Sequence, residues 1–243
     1  MSTPTVLDTI LWLIIPYLAL AVFVLGHIWR FRRDRFGWTS RSSQIYESKL
    51  LRIGSPLFHY GIIFVFLGHV IGLGIPKTWT EAVGISDHVY HFMAISIGLG
   101  AAAATVGGLG LLLYRRRTNT RVFGATTRMD KLMYLMLTIV ILAGVYSTIV
   151  DSAMGGYDYR EGVSRWFRQF WMFQPDVMLM AQAPLGFQVH VMAAILLFAI
   201  WPFTRLVHVF AVPLGYLTRP YIVYRAKDRD RQPEKRGWER IDY

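Results

Sequence analysis

Cysteine is absent from this chain of 243 residues, so disulfides, thiolate chemistry and cysteine-held clusters are excluded. Any metal chemistry falls to histidine, methionine, tyrosine or carboxylates. Charge is scarce as well. Only 17% of residues are Asp, Glu, Lys or Arg and the mean hydropathy is +0.37, too apolar for an ordinary soluble domain. No stretch alternates strictly between apolar and polar residues, as a membrane β-barrel requires. The first 27 residues hold no Lys or Arg, so the positive start of a secretory signal is missing and the first apolar run is expected to persist in the mature protein.

What the chain does have is long apolar runs. About 20 apolar residues cross the hydrocarbon core as a helix, and five stretches reach that length: 10–28, 57–75, 90–113, 132–150 and 185–207. The expected fold is an all-α integral membrane bundle of five transmembrane helices in one domain, residues 1–225, followed by a charged tail, 226–243. The third run is rich in glycine and alanine, which allows close helix approach in lipid.

A net charge of +11 would suggest nucleic acid in a soluble protein, but its distribution gives a better account. Segments 30–52, 114–131 and 204–243 carry seven, six and nine Lys/Arg, whereas the three intervening segments carry four together. The positive-inside bias then places the N-terminus outside and the C-terminus in the cytoplasm. The basic excess reads as a topology signal and a contact for anionic lipids, with no nucleic-acid partner. The stretch 165–173 is dense in aromatics with two arginines. It reads either as an interfacial helix in the headgroup plane or as the wall of a lipophilic pocket.

Histidines carry the functional signal, because ligand-capable side chains inside membrane spans usually mark function. His59 and His69 lie on the second span, His190 and His208 on the antiparallel fifth, so depth pairs His59 with His208 and His69 with His190. At ~1.5 Å per residue the first two are about 15 Å apart and the second two about 27 Å, which predicts staggered, slanted bridges. Two imidazoles complete the axial positions of an iron porphyrin, whereas a bare zinc site wants three or four protein ligands. The depth-matched pairs therefore point to two b haems. Gly61, Gly68, Gly72, Gly74, Ala193 and Ala194 are expected to leave room for the flat macrocycles. The bland alternative is that each histidine only hydrogen-bonds between helices. His27, beside Ile28-Trp29-Arg30, reads as a surface histidine at the headgroup boundary.

At these residues the chain resembles a known family. Ser42-Ser43-Gln44, Leu57-Phe58-His59-Tyr60-Gly61-Ile62 and Gly68-His69 look like the first half of the γ subunit of respiratory nitrate reductase. Phe203-Thr204-Arg205-Leu206-Val207-His208, Val212-Pro213, Tyr216-Leu217-Thr218-Arg219 and Tyr221 look like its C-terminal signature, and Ala125-Thr126-Thr127 with Asp130 also matches. The resemblance runs over roughly residues 8–227. It implies a dihaem cytochrome b of the bacterial cytoplasmic membrane that oxidises menaquinol or ubiquinol near the outer haem. Electrons would pass inward to an iron–sulfur β subunit and a molybdenum-containing α subunit that reduces nitrate. His69 and His190 would hold the distal haem, and His59 and His208 the proximal one.

Family members carry a lysine just before the third span, associated with quinol binding. The aligned stretch here, Ser86-Asp87-His88-Val89-Tyr90-His91, has none. His88, His91 or Asp87 is the expected substitute as proton acceptor; the alternative is that they are exposed loop residues. Arg115–Arg117 and Arg205 are candidate partners of haem propionates, Arg205 foremost. Rival readings are a dihaem conduit for another reductase, or a transporter or anchor without haem.

Overall fold

In the computed structural model, residues 3–39, 42–211 and 218 are described. Those described residues hold helices and turns throughout. Five helices are long and apolar enough to cross a membrane, as an integral membrane protein requires. They are α1 (Val6–Arg33, with a π-helical turn at Ile10–Ile14), α2 (Lys49–Gly74), α4 (Asp87–Thr118), α6 (Arg128–Met154, π-helical over Ser147–Met154) and α9. The α-helical part of α9 is Leu185–Ile200. Short helices α3 (Lys77–Ala82), α5 (Thr120–Gly124), α7 (Val163–Trp171) and α8 (Val177–Ala181) lie between them. The compact unit is Met1–Ala211, and the expected charged tail 226–243 lies outside the described residues.

Helix starts follow local chemistry. Thr5 with Asp8, and Thr127 with Asp130, form capping boxes in which each side chain satisfies the other residue's backbone N–H. Ser86 caps α4 by accepting from Val89 N. Arginines 30, 32 and 33 end α1, and arginines 115–117 end α4, where cations complement the carbonyl end of the helix dipole. Helix α2 starts at Lys49, upstream of the apolar run 57–75, and Pro56 lies inside it; Glu47 Oε1 receives the Leu50 N–H at this start.

The bundle has two halves. Helix α2 lies along α4, where glycines remove the side chains that would separate the backbones. A Cβ at Gly108 would collide with the Phe58 backbone N, and one at Gly61 would sit 2.6 Å from Thr105 N. In the other half, α9 packs on α6 and α1. Helices α2 and α9 do not pack on each other as closely as either packs within its own half. A seam therefore runs between the two helices that carry the paired histidines.

The fifth helix departs from expectation. The α-helix stops at Ile200; a 3-10 turn at Trp201–Phe203, an extended Thr204 and a second 3-10 stretch, Arg205–Ala211, replace its last turns. Pro202 cannot donate a backbone hydrogen bond. Buried Thr204 holds the new direction, its hydroxyl donating to Trp201 O at 2.9 Å and accepting from Leu206 N at 3.2 Å.

Candidate functional site

That break corrects the expected stagger. His59 and His208 face each other with ring centres 6.1 Å apart, and His69 and His190 with centres 5.9 Å apart. The two pairs are level because the redirected segment returns His208 to the depth of His59.

All four rings share one hydrogen-bond arrangement. Nδ1 meets a backbone carbonyl in each: Ser55 O at 2.7 Å for His59, Val65 O at 2.7 Å for His69, Val140 O at 2.9 Å for His190 and Arg205 O at 2.6 Å for His208. A carbonyl can only accept, so Nδ1 carries the proton and Nε2 keeps its lone pair free as a ligand. Metal–imidazole bonds are about 2 Å long, so one metal between two facing imidazoles sets ring centres about 6 Å apart. Both pairs meet that spacing.

The surroundings suit a large planar group in the seam. His59 and His69 are exposed on α2, and Gly68 and Gly74 face open space. Gly61 and Gly72, expected to make room for a macrocycle, serve packing instead: Gly61 lies against Thr105, and a Cβ at Gly72 would sit 3.1 Å from the Tyr159 hydroxyl. Gly144 lets His190 approach Val140, since a Cβ there would lie 2.8 Å from His190 Cε1. These residues fit a bis-imidazole haem at each pair.

Of the candidate propionate partners, Arg115, Arg116 and Arg205 are engaged within the protein and Arg117 is exposed. Buried Arg115 binds Glu47 Oε2 at 2.6 Å together with the hydroxyl and carbonyl of Ser43, and so clamps the loop before α2. Arg116 donates to Thr126 Oγ1 at 2.9 Å and lies over the Tyr134 ring. Arg205 grips Asp130 through both Nε and Nη2, at 2.5 and 2.7 Å, so a propionate would have to share its guanidinium. His27 is no surface residue. Its Nδ1 meets Phe23 O at 2.6 Å and its ring packs on Phe23, Trp38 and Phe210, because the 3-10 segment folds back over it.

At the His69/His190 end the structure assembles a polar cluster. Asp87 and His91, one turn apart on α4, face it together, whereas His88 points away and is exposed. Lys77 from α3 reaches Asp87 at 2.8 Å and Asp158 at 3.3 Å. Its hydrogen bond to Asp87, with help from Asp158, holds the Lys77 ammonium above its ordinary pKa. His91 Nε2 lies 3.6 Å from Asp158 Oδ1, and Arg160 Nη1 lies 3.5 Å from Asp87 Oδ1. Asp87, His91 and Asp158 stand close enough together to hold a metal ion, but the Lys77 ammonium already pairs with both carboxylates. Lys77, Asp158 and Arg160 were missed by sequence reasoning; a lysine between two apolar spans was the available signal.

The aromatic helix α7 covers the same end. Ser164 donates to Gly72 O at 2.9 Å and Arg168 to Leu73 O at 3.1 Å, so both satisfy carbonyls in the last turn of α2. Trp166 Nε1 donates to Trp12 O, while Trp171, Met172 and Phe173 are exposed. Burial takes Arg168 below its ordinary pKa.

Known proteins match this chain over nearly all of it. A family profile described as nitrate reductase gamma subunit covers residues 8–227. Nitrate reductase-like protein NarX of Mycobacterium tuberculosis is 50% identical over 240 residues, 97% of this chain but 37% of that protein, so this chain spans little more than a third of its length. The nitrate reductase gamma chain of Bacillus subtilis is 46% identical over 218 residues, 90% of this chain and 98% of that one. Respiratory nitrate reductase 1 gamma chain of Escherichia coli is 33% identical over 217 residues, covering 88% and 95%. This chain belongs to the nitrate reductase gamma subunit family.

Proposed function

We propose that this chain is the membrane cytochrome b subunit through which a respiratory nitrate reductase takes electrons from quinol. The observation that carries this reading is the pair of level histidine couples, each with Nδ1 on a carbonyl and ring centres about 6 Å apart, the spacing that metal–imidazole bonds impose. His69 and His190 would hold one b haem, and His59 and His208 the other. Bound there, haem supplies one-electron chemistry at two depths of the membrane.

The chain's own residues divide the rest of the work. Seven, six and nine Lys/Arg flank the His59/His208 end, which assigns that end to the cytoplasm by the positive-inside bias. The docking face for iron–sulfur and molybdenum-containing subunits is then on that side, in the cytoplasmic membrane of a bacterium. Quinol, menaquinol or ubiquinol, is oxidised at the opposite end, where His91, Asp87 and Asp158 can take up and pass on its protons while the Lys77 ammonium holds the two carboxylates in place. Protons released outside while electrons move inward separate charge without a moving pump.

The test is a reduced-minus-oxidised spectrum of purified protein with pyridine haemochrome quantification. Two b haems per chain are expected, with one left in His69→Ala. Wild-type protein produced with ample haem supply that carries none would overturn the reading.

A further inference from the structure

We infer that residues 157–160, folded against α2, α4 and α9, form the seat of the quinol head group: Arg160 Nε–H donates to a ring oxygen and His91, backed by Asp158, takes the hydroxyl proton. This rests on the quinol-oxidising role proposed above.

Arg160 supplies the first observation. It is 2% exposed, yet it is fully paired except at one atom. Nη2 donates to Thr80 Oγ1 at 2.8 Å, Nη1 lies 3.5 Å from Asp87 Oδ1, and the guanidinium carbon stands 3.8 Å from the Tyr90 ring centre. Nε is buried with no partner among the described residues. A buried N–H without an acceptor is costly, and such groups usually meet a ligand or water. A quinol or quinone oxygen is an acceptor of the required kind.

Tyr159 supplies the second. Its ring stacks at 23° on Phe187, with centres 6.3 Å apart, and stands 6.0 Å from the His91 ring. Its hydroxyl borders Gly72. Gly72 is three residues beyond His69 and Phe187 three residues before His190, so the aromatic platform lies one helical turn from both histidines. Burial keeps the Tyr159 phenol above its ordinary pKa, so it stays protonated as a donor.

His91 is the third. Its Nε2 lies 3.6 Å from Asp158 Oδ1, so the tautomer with its proton at Nε2 faces that carboxylate and leaves Nδ1 to accept. As a quinol O–H bond breaks, the proton forms the Nδ1–H bond of His91, and the electron leaves to a one-electron acceptor, which a haem held by His69 and His190 would supply. Asp158, Asp87 and Tyr159 stand beside the His91 ring, with Lys77 paired to both carboxylates and Arg160 lying over Tyr90.

The test uses the full chain in its assembled complex. In Arg160→Lys we expect about tenfold weaker binding of decylubiquinone by titration calorimetry and a matching rise in KM for decylubiquinol, about 1.4 kcal/mol, with haem content unchanged. In His91→Gln we expect kcat to fall, the acidic limb of the pH–rate profile to vanish and KM to hold. Should Arg160→Lys fail to assemble, His91→Gln and Tyr159→Phe carry the test through kcat and KM. Variants that keep both haems with wild-type decylubiquinone affinity, KM and pH profile overturn the seat; loss of haem from wild-type protein would strike the broader reading instead.

Discussion

A histidine in a membrane helix can serve merely as one hydrogen bond between helices, and the difference here lies in one nitrogen per ring. With Nδ1 committed to a backbone carbonyl, four Nε2 lone pairs are left, in two couples whose ring centres lie 6.1 and 5.9 Å apart. The pairing was legible in the sequence because histidine is rare in apolar spans and depth alone sorts four of them. Their proton arrangement was not, since Val140 O reaches His190 from another helix. Gly144 makes that contact possible. Its replacement by alanine would put a Cβ 3.1 Å from His190 Nδ1, and we expect Gly144→Ala to lose the haem of that pair and retain the other, read from haem per chain. Overpacking of this kind costs about 1–3 kcal/mol. Lys77 makes a second prediction at this scale. Asp87 and Asp158 raise its pKa, so its contribution to stability is fully present below the ordinary lysine value of about 10.4 and is lost as pH rises through the raised one. Thermal unfolding in detergent should fall in midpoint above that pH in the wild type, and the drop should shrink in Lys77→Met.

Elements decide whether well-chosen residues meet. Hydropathy reads 185–207 as one helix, and on a straight helix His190 and His208 would be mismatched with His59 and His69 by roughly 12 Å. The apolar signal could not reveal the break, because Trp201-Pro202-Phe203 is as apolar as the helix before it. Proline was the visible cue, yet Pro56 sits within α2 without ending it. What distinguishes the two is Thr204, whose buried hydroxyl bonds Trp201 O and Leu206 N and so stabilises the turn that Pro202 permits. Thr204→Val keeps the shape and removes the hydroxyl. We expect a cost of about 0.5–2 kcal/mol, in the range of a lost cap, and weakened haem retention at His59/His208 with His69/His190 intact, seen as loss of one component in a redox titration. The Arg115 clamp is a parallel case across a longer separation. Glu47→Ala would leave a buried guanidinium short of its carboxylate, at about 1.5–3 kcal/mol, and should expose the 42–48 loop to proteolysis before the helices unfold.

On the scale of the whole molecule, the two-halved bundle and the uneven charge belong to one design. The α2–α4 half and the α1–α6–α9 half meet along a seam that carries the histidine couples from the basic end to the opposite one, where the Lys77 cluster and α7 lie. Five apolar runs, their helical state and the basic loops were all readable from composition, because the hydrocarbon imposes length and charge rules on any spanning helix. The polar cluster was not, because Lys77, Asp87 and Asp158 come from three segments that only the fold unites. The proposed orientation rests on charge and has a direct test, since the chain lacks cysteine and needs no background removed. Exposed Glu81 and Thr120 lie beyond opposite ends of α4. With Glu81→Cys, a membrane-impermeant maleimide should react in intact cells; with Thr120→Cys, it should react only after lysis. The reverse pattern would put the Lys77 cluster in the cytoplasm, and protons from quinol would then be released on the side that electrons are meant to reach, leaving no charge separation for the proposed reaction to sustain.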